Sequence, residues 1–153
     1  MVKRQKEETD KLGVISIGVF LVLLGLVCML TPNIGEHLIG FLSPENWRIS
    51  KVGQGLFLPE PNTHYPVLYN TASYFCFAFG AFQIVILLLR VVLHDPLNKI
   101  GETLSEAIFW MGMNFFFGML ASNALGWFGL FAAFLMLVGA SIITKSIFKL
   151  IGS

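Results

Sequence analysis

The sequence predicts an all-α integral membrane protein: a four-transmembrane-helix bundle, both termini cytoplasmic, with short interfacial helices. Three observations predict it. Only 12% of the 153 residues are charged, about half the share usual in a soluble domain. Several apolar runs have the length of a bilayer crossing. Lys and Arg gather on one side of the threading that these runs impose. Residues 1–11 read as a cytoplasmic segment and 12–150 as a single membrane domain.

The first span is "LGVISIGVFLVLLGLVCML", residues 12–30. As a helix it rises about 28 Å, close to the hydrocarbon thickness of about 30 Å. It is longer than a signal-peptide core, and no small-residue cleavage site precedes "TPN", so it is read as uncleaved. The second span, 67–90, ends at Arg90, with Tyr65, Tyr69 and Tyr74 near its start as an aromatic belt.

From Ala107 to Thr144 there are thirty-eight positions without a charge. One helix of that length would measure about 57 Å, more than tilt absorbs. The run must fold back. "SNALGW" supplies the turn, since Asn123 and Gly126 tolerate positive φ and Trp127 suits the interface. Span three is then 104–121, the tight turn 122–126 and span four 127–147.

The external loop, 31–66, carries a short amphipathic helix at 34–42 with Ile34, Leu38, Phe41 and Leu42 on one face. Its later part, with Pro59, Pro61 and Pro66, is expected to be irregular or extended. The cytoplasmic connection, 91–103, is expected to hold an interfacial helix capped by Asp95, with Pro96 in its first turn and a bend at Gly101 where it runs into span three. Orientation rests on Lys3, Arg4, Lys6, Lys11, Arg90, Lys99, Lys145 and Lys149 on one side, against Arg48 and Lys51 on the other.

Polar groups at depth are costly and usually partnered. The candidates near mid-span are Gln83 and Asn114, expected to hydrogen-bond across helices or to line a solute path. Glu106 is the deepest acid and is placed at the membrane edge, its carboxylate in headgroup water or, alternatively, coupled to an ion.

Small residues mark close helix approach: Ala72, Cys76 and Gly80 on span two, Gly18 and Gly25 on span one, Ala132 and Gly139 on span four. Spacing alone does not separate contacts within the chain from contacts between subunits. Phe115, Phe116 and Phe117 turn by about 100° each along a helix, so at least one faces lipid.

No metal ligand set, catalytic constellation or cofactor motif is expected. His37, His64 and His94 lie outside the spans, and no glycine-rich phosphate loop or nucleophile motif occurs. The net charge of +1, with scattered basic residues, argues against nucleic acid. The expected partners are the lipid bilayer and either other membrane subunits or further copies of the chain. The expected function is a non-catalytic accessory or scaffold subunit, because no ionisable group is placed at depth. The alternative is an oligomeric small-solute channel or carrier using Gln83 and Asn114.

Overall fold

Four helices are long and apolar enough to cross a bilayer, which makes this a multi-pass membrane protein. The structure, a computed structural model, describes the backbone of residues 2–152 and the side chains of 13–152 except Val52. The basic side chains of Lys3, Arg4, Lys6 and Lys11, on which the expected orientation leans, lie outside the described residues.

The helices are α1 (Val2–Leu30), α2 (Ile34–Leu42), α3 (Pro66–Val92), α4 (Leu97–Ala121) and α5 (Trp127–Ile151). Strands β1 (Trp47–Val52) and β2 (Leu56–Pro61) lie between α2 and α3. The spans α1, α3, α4 and α5 alternate in direction, so both chain ends emerge at one end of the bundle and the strands at the other.

The hairpin departs from the all-α expectation. β1 and β2 pair antiparallel from Trp47↔Pro61 to Val52↔Leu56. The connection uses Gly53 and Gly55 at φ 70° and 97°, a backbone region closed to most side chains. Pro59 and Pro61 argued against a ladder, but a two-stranded ribbon leaves half of its N–H groups unpaired and so tolerates proline.

The α2 boundaries match the sequence reading. Ile34 and Phe41 are half-buried, whereas Leu38 and Leu42 stay exposed, so only part of the expected apolar face points inward. The α4–α5 turn sits where length required it: Asn123 takes φ 58°, while Gly126 precedes α5 in extended backbone.

The largest revision concerns α4. It is a single helix beginning at Leu97, so the interfacial segment and span three are one element, without a break at Gly101. Gly101 is instead a point of close approach, since a Cβ there would overlap the Phe148 side chain of α5. Asp95 does not cap the helix and sits 3.6 Å from Arg90 of α3.

The three helices α3, α4 and α5 form the packed unit. Gly80 lies against Met111, Gly112 against Leu137, and Ser141 Oγ donates to the Ser105 carbonyl at 2.7 Å. Ser105 is wholly buried there. The small residues Gly101, Ser105 and Gly112 let α5 approach α4, a role the sequence reading did not assign.

Helix α1 leans mainly on α3, with Phe20 also reaching Trp110 of α4. Phe20, Leu23 and Val27 pack on the core around Phe75, Cys76 and Met113, and the Thr31 and Thr71 hydroxyls are 3.2 Å apart. No residue of 13–30 is fully buried.

At the hairpin end, Phe41, Trp47, Tyr65, Tyr69 and Trp127 form a cluster of rings with centroids 5.1–6.2 Å apart. His64 Nε2 reaches the Ala121 carbonyl at 3.0 Å, tying the start of α3 to the end of α4. Tyr69 is therefore core, whereas Tyr74 is exposed on the bundle surface. Of the three consecutive phenylalanines, Phe115 is exposed and Phe116 and Phe117 pack on the core.

Candidate functional site

Away from the hairpin end, α1 does not follow α3 closely. Between the Gly13–Phe20 stretch of α1 and the α3–α4 pair lies a cleft of about 790 Å³. Three aromatic side chains make its floor: Phe20, Phe79 and Trp110. Their centroids are 5.3 Å apart for Phe20–Phe79, 5.1 Å for Phe79–Trp110 and 6.1 Å for Phe20–Trp110. The first two contacts are edge-to-face, a favoured geometry for ring quadrupoles.

Above this floor, Gln83 Nε2 donates to Glu106 Oε2 at 3.0 Å. Gln83 is only 2% exposed, whereas Glu106 is open to the cleft. Trp110 is one turn along α4 from Glu106, so carboxylate and indole share a helix face. At the mouth stand Arg90, Lys99 and Glu102. Lys99 Nζ meets Glu102 Oε2 at 3.2 Å. Arg90 is 8% exposed and pairs with Asp95, although its Nε and Nη1 and the Asp95 Oδ2 make no hydrogen bond.

The two polar residues singled out from the sequence are not brought together. Gln83 meets Glu106, and Asn114 lies about two turns away along α4. The Asn114 side-chain and backbone carbonyls accept from Ser73 Oγ at 2.8 and 2.9 Å. The reason is the start of α4. With Leu97 as its first residue, Glu106 is the tenth, about 14 Å along the helix rather than at its end. Antiparallel pairing then sets it level with Gln83, seven residues before Arg90 and about 10 Å inward of it. Gln83 and Asn114 therefore do not hydrogen-bond to each other within the chain.

The small residues divide into two groups. On α3, Cys76 and Gly80 are buried and Ala72 half-buried, so that strip serves contacts within the chain. Around Gly18, Gly25 and Gly139, by contrast, an added Cβ would meet nothing within 4 Å, and Ala132 is exposed.

The cleft residues that the sequence did not bring together are Glu106, read there as lying at the membrane edge, and Phe20, Phe79 and Trp110. Helical spacing from Pro96 onward would have located Glu106. The aromatic floor had no sequence signal, because its rings come from three helices. Among the described residues no three His, Cys, Asp or Glu side chains gather around a common point. No protein-family signature, no curated protein and no solved structure matches this chain.

Proposed function

We propose that the protein is a small membrane carrier that takes a polar or amphiphilic solute into the cleft between α1 and the α3–α4 pair. The observation that carries this reading is the Gln83–Glu106 pair, an ionisable group well inside the helix ends and open to a cavity. Ionisable side chains at such depth line substrate or ion pathways by default. A concave, largely apolar site with a few convergent polar groups is also the usual form of a small-molecule pocket. The expectation of an accessory subunit rested on placing no ionisable group at depth; the tenth position of Glu106 in α4, level with Gln83, is what favours the carrier reading over it.

On the positive-inside rule the cleft opens toward the cytoplasm, where the chain ends and the α3–α4 connection lie. The described contacts of α1 run through Phe20, Leu23, Val27 and Thr31, and none of its residues 13–30 is fully buried, which favours α1 as the element that moves against the rest.

Proteoliposomes on a solid-supported membrane, pulsed in turn with small cations, zwitterions and anions, test this. Saturable charge displacement for one class, lost in Glu106→Gln, is the expected result. Silence with every class would remove the carrier reading.

A second reading, an accessory or scaffold subunit, draws support from Gly18, Gly25, Ala132 and Gly139, whose faces are unused inside the chain. Such faces suit close packing by a neighbouring transmembrane helix or a second copy. Stoichiometric copurification with a larger membrane protein from native membranes, together with silence in the flux assay, would favour it.

A further inference from the structure

We propose that the cleft selects an amphiphilic organic cation, with Glu106 as its counter-charge and the Phe20–Phe79–Trp110 surface as the seat of its apolar body. The inference rests on the reading of this cleft as a solute site and adds the chemical class of the solute.

Two ion pairs stand at the mouth of the cleft, and Glu106 inside it takes part in neither. Arg90 is faced by Asp95 at 3.6 Å and Lys99 by Glu102 at 3.2 Å. Among the described residues Glu106 has no ion pair; Lys145, Arg90 and Glu102 are the charged groups that act on it, all beyond ion-pair distance. One carboxylate oxygen is held by the Gln83 amide, which orients the group without neutralising it. Among the described residues the other oxygen accepts no hydrogen bond, which leaves it to a ligand.

Two features beside Glu106 favour a cation with an apolar body over an inorganic one. Beside the carboxylate the cleft is lined by Trp110, one turn along α4, and Phe20 of α1, and aromatic rings attract an ammonium or phosphonium by their quadrupole. No group of three His, Cys, Asp or Glu side chains gathers there among the described residues to hold a hard metal cation. A ligand bearing diffuse positive charge on a hydrophobic frame uses both the carboxylate and the rings. An anion would instead have to sit at Arg90, where the Asp95 carboxylate already stands.

The test is equilibrium binding of radiolabelled tetraphenylphosphonium to the full chain in nanodiscs, with empty nanodiscs as the partition control. Tetraphenylborate, of the same shape and opposite charge, is the competitor. The expected result is saturable binding of the phosphonium, unaffected by the borate and weakened about tenfold or more in Glu106→Gln. Glu106→Asp should retain it, and Trp110→Leu should weaken it about fivefold. Gln at position 106 still offers a carbonyl to Gln83, so the fold is kept, and Glu106→Asp controls for any loss of folding. Phosphonium binding equal in Glu106→Gln and the native chain would overturn the proposal. Saturable borate binding that is lost in Arg90→Gln would also overturn it, while leaving the cleft as a solute site. If neither probe saturates, the solute-site reading falls with it.

Discussion

Gln83 of α3 and Glu106 of α4 share a hydrogen bond of 3.0 Å across the helix pair with the most extensive contact in the bundle. The amide is buried and the carboxylate faces a cavity. The pair therefore has a structural side and a chemical side, and the two can be measured separately.

On the structural side, interhelical hydrogen bonds in membranes contribute about 0.6 kcal/mol on average. A double-mutant cycle with Gln83→Leu and Glu106→Leu, read by unfolding in mixed micelles, should give a coupling of about that size, up to about 1.7 kcal/mol. Zero coupling would mean the two side chains do not meet.

The glycines separate by what surrounds them. Gly112→Ala drives a methyl into Leu137 and should cost about 1–3 kcal/mol of bundle stability. Gly18→Ala and Gly139→Ala, with open space around them, should stay within about 0.5 kcal/mol of the native chain. If Gly18→Ala left stability alone but changed the oligomeric state, the unused face of α1 would be an interface.

Arg90 and Asp95 are 10% and 14% exposed in their side chains, so each is poorly solvated without the other. Asp95→Leu strands the guanidinium and should destabilise the protein by about 3 kcal/mol. The double substitution Arg90→Leu with Asp95→Leu should recover most of that loss. Equal instability in the single and double variants would show that the pair does not act as a unit.

Trp127 joins α5 to α2, β1 and α3 through Phe41, Trp47 and Tyr69. Trp127→Ala should cost about 3 kcal/mol and release the hairpin at 47–61 to limited proteolysis. A hairpin equally resistant in the variant would mean that β1 and β2 are held by other contacts.

Much of the fold was legible because its causes are local. Run length required four spans, and the thirty-eight uncharged positions required a turn that Asn123 could form. The hairpin was hidden by Pro59 and Pro61, residues that oppose a central strand but not a lone ribbon. The site was hidden for a different reason. Its position follows from where α4 starts: Asp95–Pro96 read as the start of an interfacial segment running with a bend at Gly101 into a span counted from residue 104, whereas α4 is one helix from Leu97. An error of seven residues in that start moved Glu106 from mid-helix to the membrane edge and paired Gln83 with the wrong partner. The cleft itself depends on how α1 diverges from α3, which no spacing in α1 encodes.

Threading is checked by single cysteines at Ser122 and Ser50 in a chain with Cys28→Ser and Cys76→Ser. Both should be labelled by an impermeant maleimide from the outside of intact cells. Labelling of Ser122→Cys only after permeabilisation would reverse the assignment of sides.

The central claim is that Glu106 is a carboxyl group at bilayer depth, reachable by an apolar ligand. Carbodiimide labelling followed by peptide mass spectrometry tests it most directly. Apolar dicyclohexylcarbodiimide should modify Glu106 in membranes, tetraphenylphosphonium should protect it, and a water-soluble carbodiimide should instead modify Glu102 and Glu36. Glu106 left unmodified by the apolar reagent, or modified as readily by the water-soluble one, would contradict the account.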